Sequence, residues 1–276
     1  MNLGLGTAQF GSDYGVTNSR GRVPAGEIEP ILRFAAANGV QVLDTAAAYG
    51  ESEVALGRAL WQGHPFRIVT KVAPRTMARE SFLRSLEKLR QDCVYALLVH
   101  HAVDLTDALV EQLLDLKRQG LVSRIGASFY DASEIRRARA VLAPEIVQVP
   151  VSIADQRLVR DGTLARLHGE GVEIHARSVF LQGLLLADAQ RMPAPLRHIE
   201  AYAKAAGVSR LALALEFVAQ LQEVDVALVG VTGLDDLQAI VAASRTALGH
   251  RDLSDLAVND EMLLNPSRWP RASADA

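Results

Sequence analysis

The chain has a single cysteine, Cys93, among 276 residues. No internal disulfide can form, and a thiolate zinc site has no ligand set. Positive charge is not in surplus either, since 29 Lys and Arg stand against 32 Asp and Glu, a formal charge of -3. Nothing basic is left over to hold a phosphate backbone or an anionic bilayer, so neither nucleic acid nor membrane is an expected partner. No stretch reaches the roughly 18 uninterrupted apolar residues of a membrane span, and Met1-Asn2-Leu3-Gly4 lacks the basic flank and apolar run of an export signal. The expectation is a cytoplasmic protein. Apolar residues make up 49% of the chain and charged residues 22%, enough for a substantial core in a single domain over residues 1–276.

Short β-branched or apolar runs alternate with longer segments of helical period, the pattern of βα units around a parallel sheet. Eight such runs occur: Leu3 to Thr7, Val40 to Asp44, Arg67 to Lys71, Val94 to His100, Ser123 to Ser128, Ile146 to Val149, Val172 to Arg177 and Val226 to Gly230. Between them, Ser81 to Gln91 and Ala108 to Gln119 carry apolar stripes. Gly39, Gly120 and Gly171 sit where a left-handed helix cap needs no Cβ. Strands apolar on both faces, such as Val94 to Val99, suit a barrel filled inside and covered by helices outside. The fold class read here is α/β, a (β/α)8 TIM barrel. Irregular segments at Gln9 to Ala25 and Phe180 to Pro195 are long enough to suggest function, and Asn265 to Ala276 reads as an appended tail.

Barrel chemistry draws on polar residues at the carboxyl ends of strands. The second run ends in Asp44, followed by Thr45 and then Tyr49; the third ends in Lys71, the fourth in His100 beside His101, the fifth in Ser128, and the sixth contains Gln148. Taken singly, each is as readily an ordinary strand-end polar group. Asp44, Lys71 and His100 all terminate apolar strands, where an unpaired charge is costly to bury, so they are expected to meet. A Lys71 held protonated by Asp44 stabilises negative charge on a neighbouring Tyr49 oxygen, which suits that tyrosine to general-acid work, with His100 orienting a carbonyl.

The segments Leu43-Asp44-Thr45-Ala46-Ala47-Ala48-Tyr49-Gly50-Glu51-Ser52-Glu53, Val69-Thr70-Lys71 and Leu97-Leu98-Val99-His100 resemble the aldo-keto reductases, matching that family's Asp, Tyr, Lys and His tetrad in order. The resemblance continues through Arg124 to Ser128, Val147 to Pro150 and Ala176 to Ser178, covering nearly the whole chain. It implies reduction of an aldehyde or ketone by a nicotinamide cofactor, with Tyr49 as proton donor and Asp44, Lys71 and His100 in support. The implied cofactor contacts are Gly6, Thr7, Asp44, Ser128, Gln148, Arg177, Ser178, Gly230, Thr232 and Gly233. Ser128 and Gln148 are implied to hold the carboxamide, while Arg177 stands where many members stack an aromatic ring. Tyr14, Phe129, Phe180 and Trp269 are candidates for an apolar substrate wall.

The resemblance also implies NADPH, yet Val229 to Leu237, similar to the segment that grips the adenosine 2′-phosphate, lacks its usual basic residue. Asp236 stands there instead, and an aspartate repels a dianion or accepts a hydrogen bond from a free ribose hydroxyl, which favours NADH. Gly233 serves equally as a pyrophosphate contact or as a plain turn. The hairpin with which members commonly plug the barrel floor is not expected, since the first barrel strand starts almost at Met1. A metal barrel with a His-x-His pair finds no ligand in Leu5-Gly6-Thr7-Ala8-Gln9, so no metal is expected. A Schiff-base aldolase using Lys71 needs a neutral lysine, which Asp44 disfavours. The reading from another class is a nucleotide-binding sensor or scaffold with little turnover.

Overall fold

The alternation of strand and helix closes on itself. In a computed structural model, which describes residues 2–72, 77–246 and 248–269, eight parallel strands form a closed barrel in chain order, the first pairing with the last. β1 (Asn2–Gly6) leads through one turn, α1 (Ala8–Gly11), to α2 (Ala25–Ala37). β2 (Val42–Asp44) precedes α3 (Ser52–Ala59), β3 (Arg67–Val72) precedes α4 (Ala78–Leu89), and β4 (Val94–Val99) precedes α5 (Asp107–Arg118). β5 (Val122–Ser128) and α6 (Ala132–Ala138) come next, followed by β6 (Ile146–Pro150), α7 (Arg157–Arg160) and α8 (Thr163–Gly169). β7 (Glu173–Arg177) opens a long loop before α9 (Arg197–Ala205) and α10 (Arg210–Ala219). β8 (Val226–Gly230) leads to α11 (Leu234–Ser244) and a final turn, α12 (Glu261–Leu264).

Every strand lies within about two residues of its expected limits, the ordinary uncertainty of element ends. The helix expected from Ser81 begins earlier, at Ala78, and stops at Leu89 because Arg90 turns left-handed, with φ 55°. Gly39, Gly120 and Gly171 all adopt the left-handed conformation their positions required. α5 forms for local and tertiary reasons together. The Thr106 hydroxyl accepts the Leu109 N–H at 3.2 Å, and Lys117 and Arg118 face the carboxyl-terminal carbonyls. Leu109, Val110, Leu113 and Leu116 are buried on the barrel side, each burial stabilising by about 2 kcal/mol.

The two-residue period of each strand divides the core. Val42, Val69, Ala96, Leu98, Ile146, Val226 and Leu228 fill the barrel interior, while Leu43, Leu97, Ile125, Val147, Ile174 and Val229 pack outward among the helices. Two residues beyond Val42, Val69, Leu98 and Ile146 stand Asp44, Lys71, His100 and Gln148. The apolar plug therefore carries a polar layer at the carboxyl end. At the amino end, the Tyr95 hydroxyl donates to Glu173, Arg124 Nε lies 3.3 Å from the same carboxylate, and the Arg67 guanidinium covers the Tyr95 ring at 4.7 Å. These side chains occupy the floor of the barrel, and no strand outside the barrel is present among the described residues.

Candidate active site

Lys71, at the end of β3, is 1% exposed, and its ammonium would be intolerable there without partners. It has four. Nζ donates to both Asp44 carboxylate oxygens at 2.7 Å, to the Thr45 carbonyl at 3.0 Å and to the Tyr49 hydroxyl at 3.3 Å. Burial opposes the charge, but the Asp44 carboxylate outweighs it and holds the ammonium above the usual lysine range. The fourth expected member, His100, meets the Tyr49 ring edge-on at 5.6 Å and stacks on His101 at 4.6 Å. Burial, and then the positive charges of Lys71, His101 and Arg177, push the His100 imidazole down to about 3, so the ring is neutral near pH 7. Its Nδ1 is buried without a protein partner.

The short segment from Asp44 to Ser52 is braced from behind. Thr7 Oγ1 donates to the Asp44 carbonyl at 2.9 Å and lies 2.8 Å from the Ser52 hydroxyl, while Ser52 Oγ donates to the Thr7 carbonyl at 2.8 Å. Gln148 Nε2 donates to Asp44 at 2.8 Å, tying β6 to β2 across the barrel mouth. Arg177, at the end of β7, reaches the Phe129 carbonyl at 3.2 Å and the Ser178 hydroxyl at 3.3 Å, and covers the Tyr130 ring at 4.2 Å. All these partners of Arg177 are uncharged.

A cleft of about 600 Å³ opens on this cluster and extends from Asp44, Tyr49 and Gln148 to Thr232, Asp236, Ala239 and Ile240 beside α11. Gly6, Thr7, Arg177, Ser178, Gly230 and Thr232 border it, as do Tyr14 and Phe180. The loop after β7 forms a strap along it. Ser178, Leu181 and Gln182 take positive φ, as does Gly183 at 92°, and a side chain on Gly183 would come within 1.9 Å of Thr17 Oγ1. Thr17 in turn donates to the Gln182 carbonyl at 3.4 Å, joining the loop after β1 to the strap. Arg210 pins the strap's far end through the Leu185 carbonyl at 3.0 Å and the Ala187 carbonyl at 2.7 Å.

Four expected contacts lie elsewhere. Phe129 has no exposed surface and packs in the outer core, so it cannot form a substrate wall. Trp269 lies on its own segment, its indole N–H donating to the Met262 carbonyl at 2.9 Å and the Leu263 carbonyl at 3.1 Å, away from the cleft. Ser128 is nearly buried beside its register partner Gln148 and does not border the cleft. Gly233 is covered by Arg20, whose Nη1 would lie 2.0 Å from an added Cβ. The rest of the tail, 270–276, lies outside the described residues. Reading the sequence missed Arg20, Gln182, Asp188 and Arg191, all of which border the cleft from the two long loops. The length of those loops was the only signal they gave.

Among the described residues no helix is long and apolar enough to cross a membrane, and no group of three or more His, Cys, Asp or Glu is arranged to hold a metal ion. The cleft fits a nicotinamide dinucleotide in its donor set. The Gln148 amide and the planar Arg177 guanidinium border it together with Tyr49, and apolar Ala239 and Ile240 stand at the far end.

Known proteins share this fold. A crystal structure of a Pseudomonas aeruginosa protein assigned to the aldo-keto reductases is 26% identical, with a TM-score of 0.68 and 90% of each chain covered. An aldo-keto reductase of Bacillus halodurans in its holo form superposes with a TM-score of 0.78 over 93% of this chain and 92% of that one, at 19% identity, a likeness of fold. D-arabinose 1-dehydrogenase of Saccharomyces cerevisiae is 30% identical over 148 residues, 46% of this chain and 42% of the yeast protein, so the match spans less than half of that relative. Residues 2–258 match the aldo/keto reductase family, and the chain belongs to it.

Proposed function

We propose that this protein reduces an aldehyde or ketone to an alcohol at the expense of a reduced nicotinamide dinucleotide, with Tyr49 as the general acid. The observation that carries the reading is the Lys71 ammonium, 3.3 Å from the Tyr49 hydroxyl and paired with Asp44 at 2.7 Å. The chemistry a reduced nicotinamide supplies when bound is a hydride for the carbonyl carbon. As the C=O electron pair moves onto oxygen, Tyr49 gives that oxygen its proton, and Lys71 stabilises the charge left on the phenolic oxygen. Asp44 keeps Lys71 charged. His100, neutral, donates a hydrogen bond to the same carbonyl oxygen and orients it. Gln148, fixed by Asp44, would hold the nicotinamide carboxamide through its amide, and Arg177 would offer its planar guanidinium to the ring. A reducing cytoplasm suits a chain whose one cysteine, Cys93, is an exposed free thiol.

The test is a panel of aldehydes and ketones assayed with wild type and Tyr49→Phe, alongside fluorescence titration of each with NADH and NADPH. The variant is expected to keep nucleotide binding and lose reduction by about 10²- to 10⁴-fold. A wild type that binds nucleotide and reduces nothing would sink the proposal in favour of a sensor or scaffold.

A further inference from the structure

The far end of the cleft has an unusual charge arrangement. Arg20, from the loop after β1, reaches across to the turn after β8, where Nη1 donates to the Thr232 carbonyl at 2.8 Å. Its Nη2 donates to both Glu27 carboxylate oxygens at 3.2 Å. On the same turn, Asp236 Oδ2 accepts the Thr232 N–H at 2.8 Å and the Thr232 hydroxyl at 2.7 Å. The Asp236 side chain is therefore held at the cleft edge, with its second oxygen uncommitted among the described contacts. Arg20, Thr232 and Asp236 all border the cleft, as do apolar Ala239 and Ile240 one turn further along α11.

This inference rests on the redox reading above. If the nicotinamide must lie against Tyr49, the adenosine of the same molecule falls at the other end of the same cleft. There Ala239 and Ile240 offer an apolar seat for the base, and the turn from Thr232 to Asp236 flanks the ribose. A 2′-phosphate at that turn would bring close to two negative charges toward Asp236, with Asp235 next to it in the chain. Arg20, the cation that reaches this turn among the described residues, is paired with Glu27 and engaged with a carbonyl. A ribose 2′-hydroxyl, in contrast, is a donor for the remaining Asp236 oxygen. We infer that this cleft selects NADH over NADPH, through Asp236 acting on the ribose and through Glu27 withholding Arg20 from a phosphate.

The inference names Glu27, which touches no part of the reaction, as a specificity-determining residue. Equilibrium fluorescence titrations with NADH and NADPH test it on wild type, Glu27→Gln, Asp236→Asn and the double variant. Wild type is expected to bind NADH about tenfold or more tightly than NADPH, the scale of one unscreened charge contact in a partly solvated site. Glu27→Gln frees Arg20 and should tighten NADPH alone, and Asp236→Asn keeps the acceptor for Thr232 while removing the repulsion. Unchanged circular dichroism and Tm show each variant folded, and Asp236→Asn should also weaken NADH, because its amide nitrogen cannot accept from the ribose hydroxyl. The double variant should erase or invert the preference, and added salt should narrow the wild-type difference. Equal or tighter NADPH binding by wild type, or a ratio unmoved in the double variant, overturns the inference and leaves carbonyl reduction standing. Binding of neither nucleotide overturns the redox reading, and the inference with it.

Discussion

The two ends of this barrel are built from nearly the same side chains, and the cleft described above lies at the carboxyl end. At the carboxyl end, a carboxylate, a cation, a tyrosine and a histidine are Asp44, Lys71, Tyr49 and His100; at the amino end they are Glu173, Arg124, Tyr95 and His175. The difference lies in what the tyrosine hydroxyl does. Tyr95 donates its hydroxyl to Glu173 in a closed hydrogen bond, and burial together with that bond holds the phenol above its usual value. Tyr49 instead accepts from Lys71 and faces the cleft. The histidines differ as well. His175 shares Glu173 through Nε2 at 2.8 Å, whereas burial and the charges of Lys71, His101 and Arg177 keep His100 neutral. On the proposed function, the two ends differ in which groups keep an uncommitted hydrogen bond next to a cleft, and residue type alone does not separate them.

The sharpest way to break this comparison is to treat both tyrosines alike. Tyr49→Phe should lower kcat by about a thousandfold with little change in Tm, whereas Tyr95→Phe should leave kcat within about twofold and lower Tm. Equal activity losses in steady-state assays would show that the ends do not divide the work as described. Next in size, Asp44→Asn leaves the Lys71 ammonium buried without its counter-charge. It should destabilise the fold by about 3 kcal/mol in urea melts and cost activity too, since the lysine then loses its proton more easily.

Glu173 offers the matching change at the floor. Burial raises its carboxyl, but hydrogen bonds from His175 and Tyr95 and the charge of Arg124 outweigh this and hold it below the usual glutamate range. A depressed folded value means that its stabilisation is complete above the unfolded carboxyl range and is lost as pH falls through the folded value. Glu173→Gln should therefore lower Tm at neutral pH, flatten the decline at acid pH and spare kcat, as melts across pH and rates at pH 7 would show. The smallest effect belongs to His100. Its folded value of about 3 lies below the unfolded imidazole value, so protonation favours the unfolded chain and stability falls as pH drops from about 6.5 toward 3. His100→Gln should remove that part of the slope while reducing kcat/KM, and no inflection near pH 6.5 should come from His100 in the wild-type rate profile.

The parts legible in the sequence were those that a two-residue period governs. An apolar run that fills a barrel interior puts its terminal polar residue on the same inward face, which is why Asp44, Lys71, His100 and Gln148 converge. The same parity explains the error at Phe129. One residue past inward-facing Ser128, it faces outward into the layer beneath the helices, so adjacency to the site misled. Trp269 misled differently, because nothing periodic anchors a tail. The floor cluster was unread because Tyr95, Arg124 and Glu173 lie in three separate strands, each only a polar interruption of an apolar run.

By itself, then, the sequence determined the eight-strand order, the glycine caps and the polar rim, because these depend on local period and backbone conformation. Only the tertiary structure decided that Arg20 meets Thr232 across 212 positions of chain, that Thr17 braces Gly183, and that the strap runs along the cleft. Those contacts join loops with no period, and their geometry is set by where the closed barrel happens to bring them.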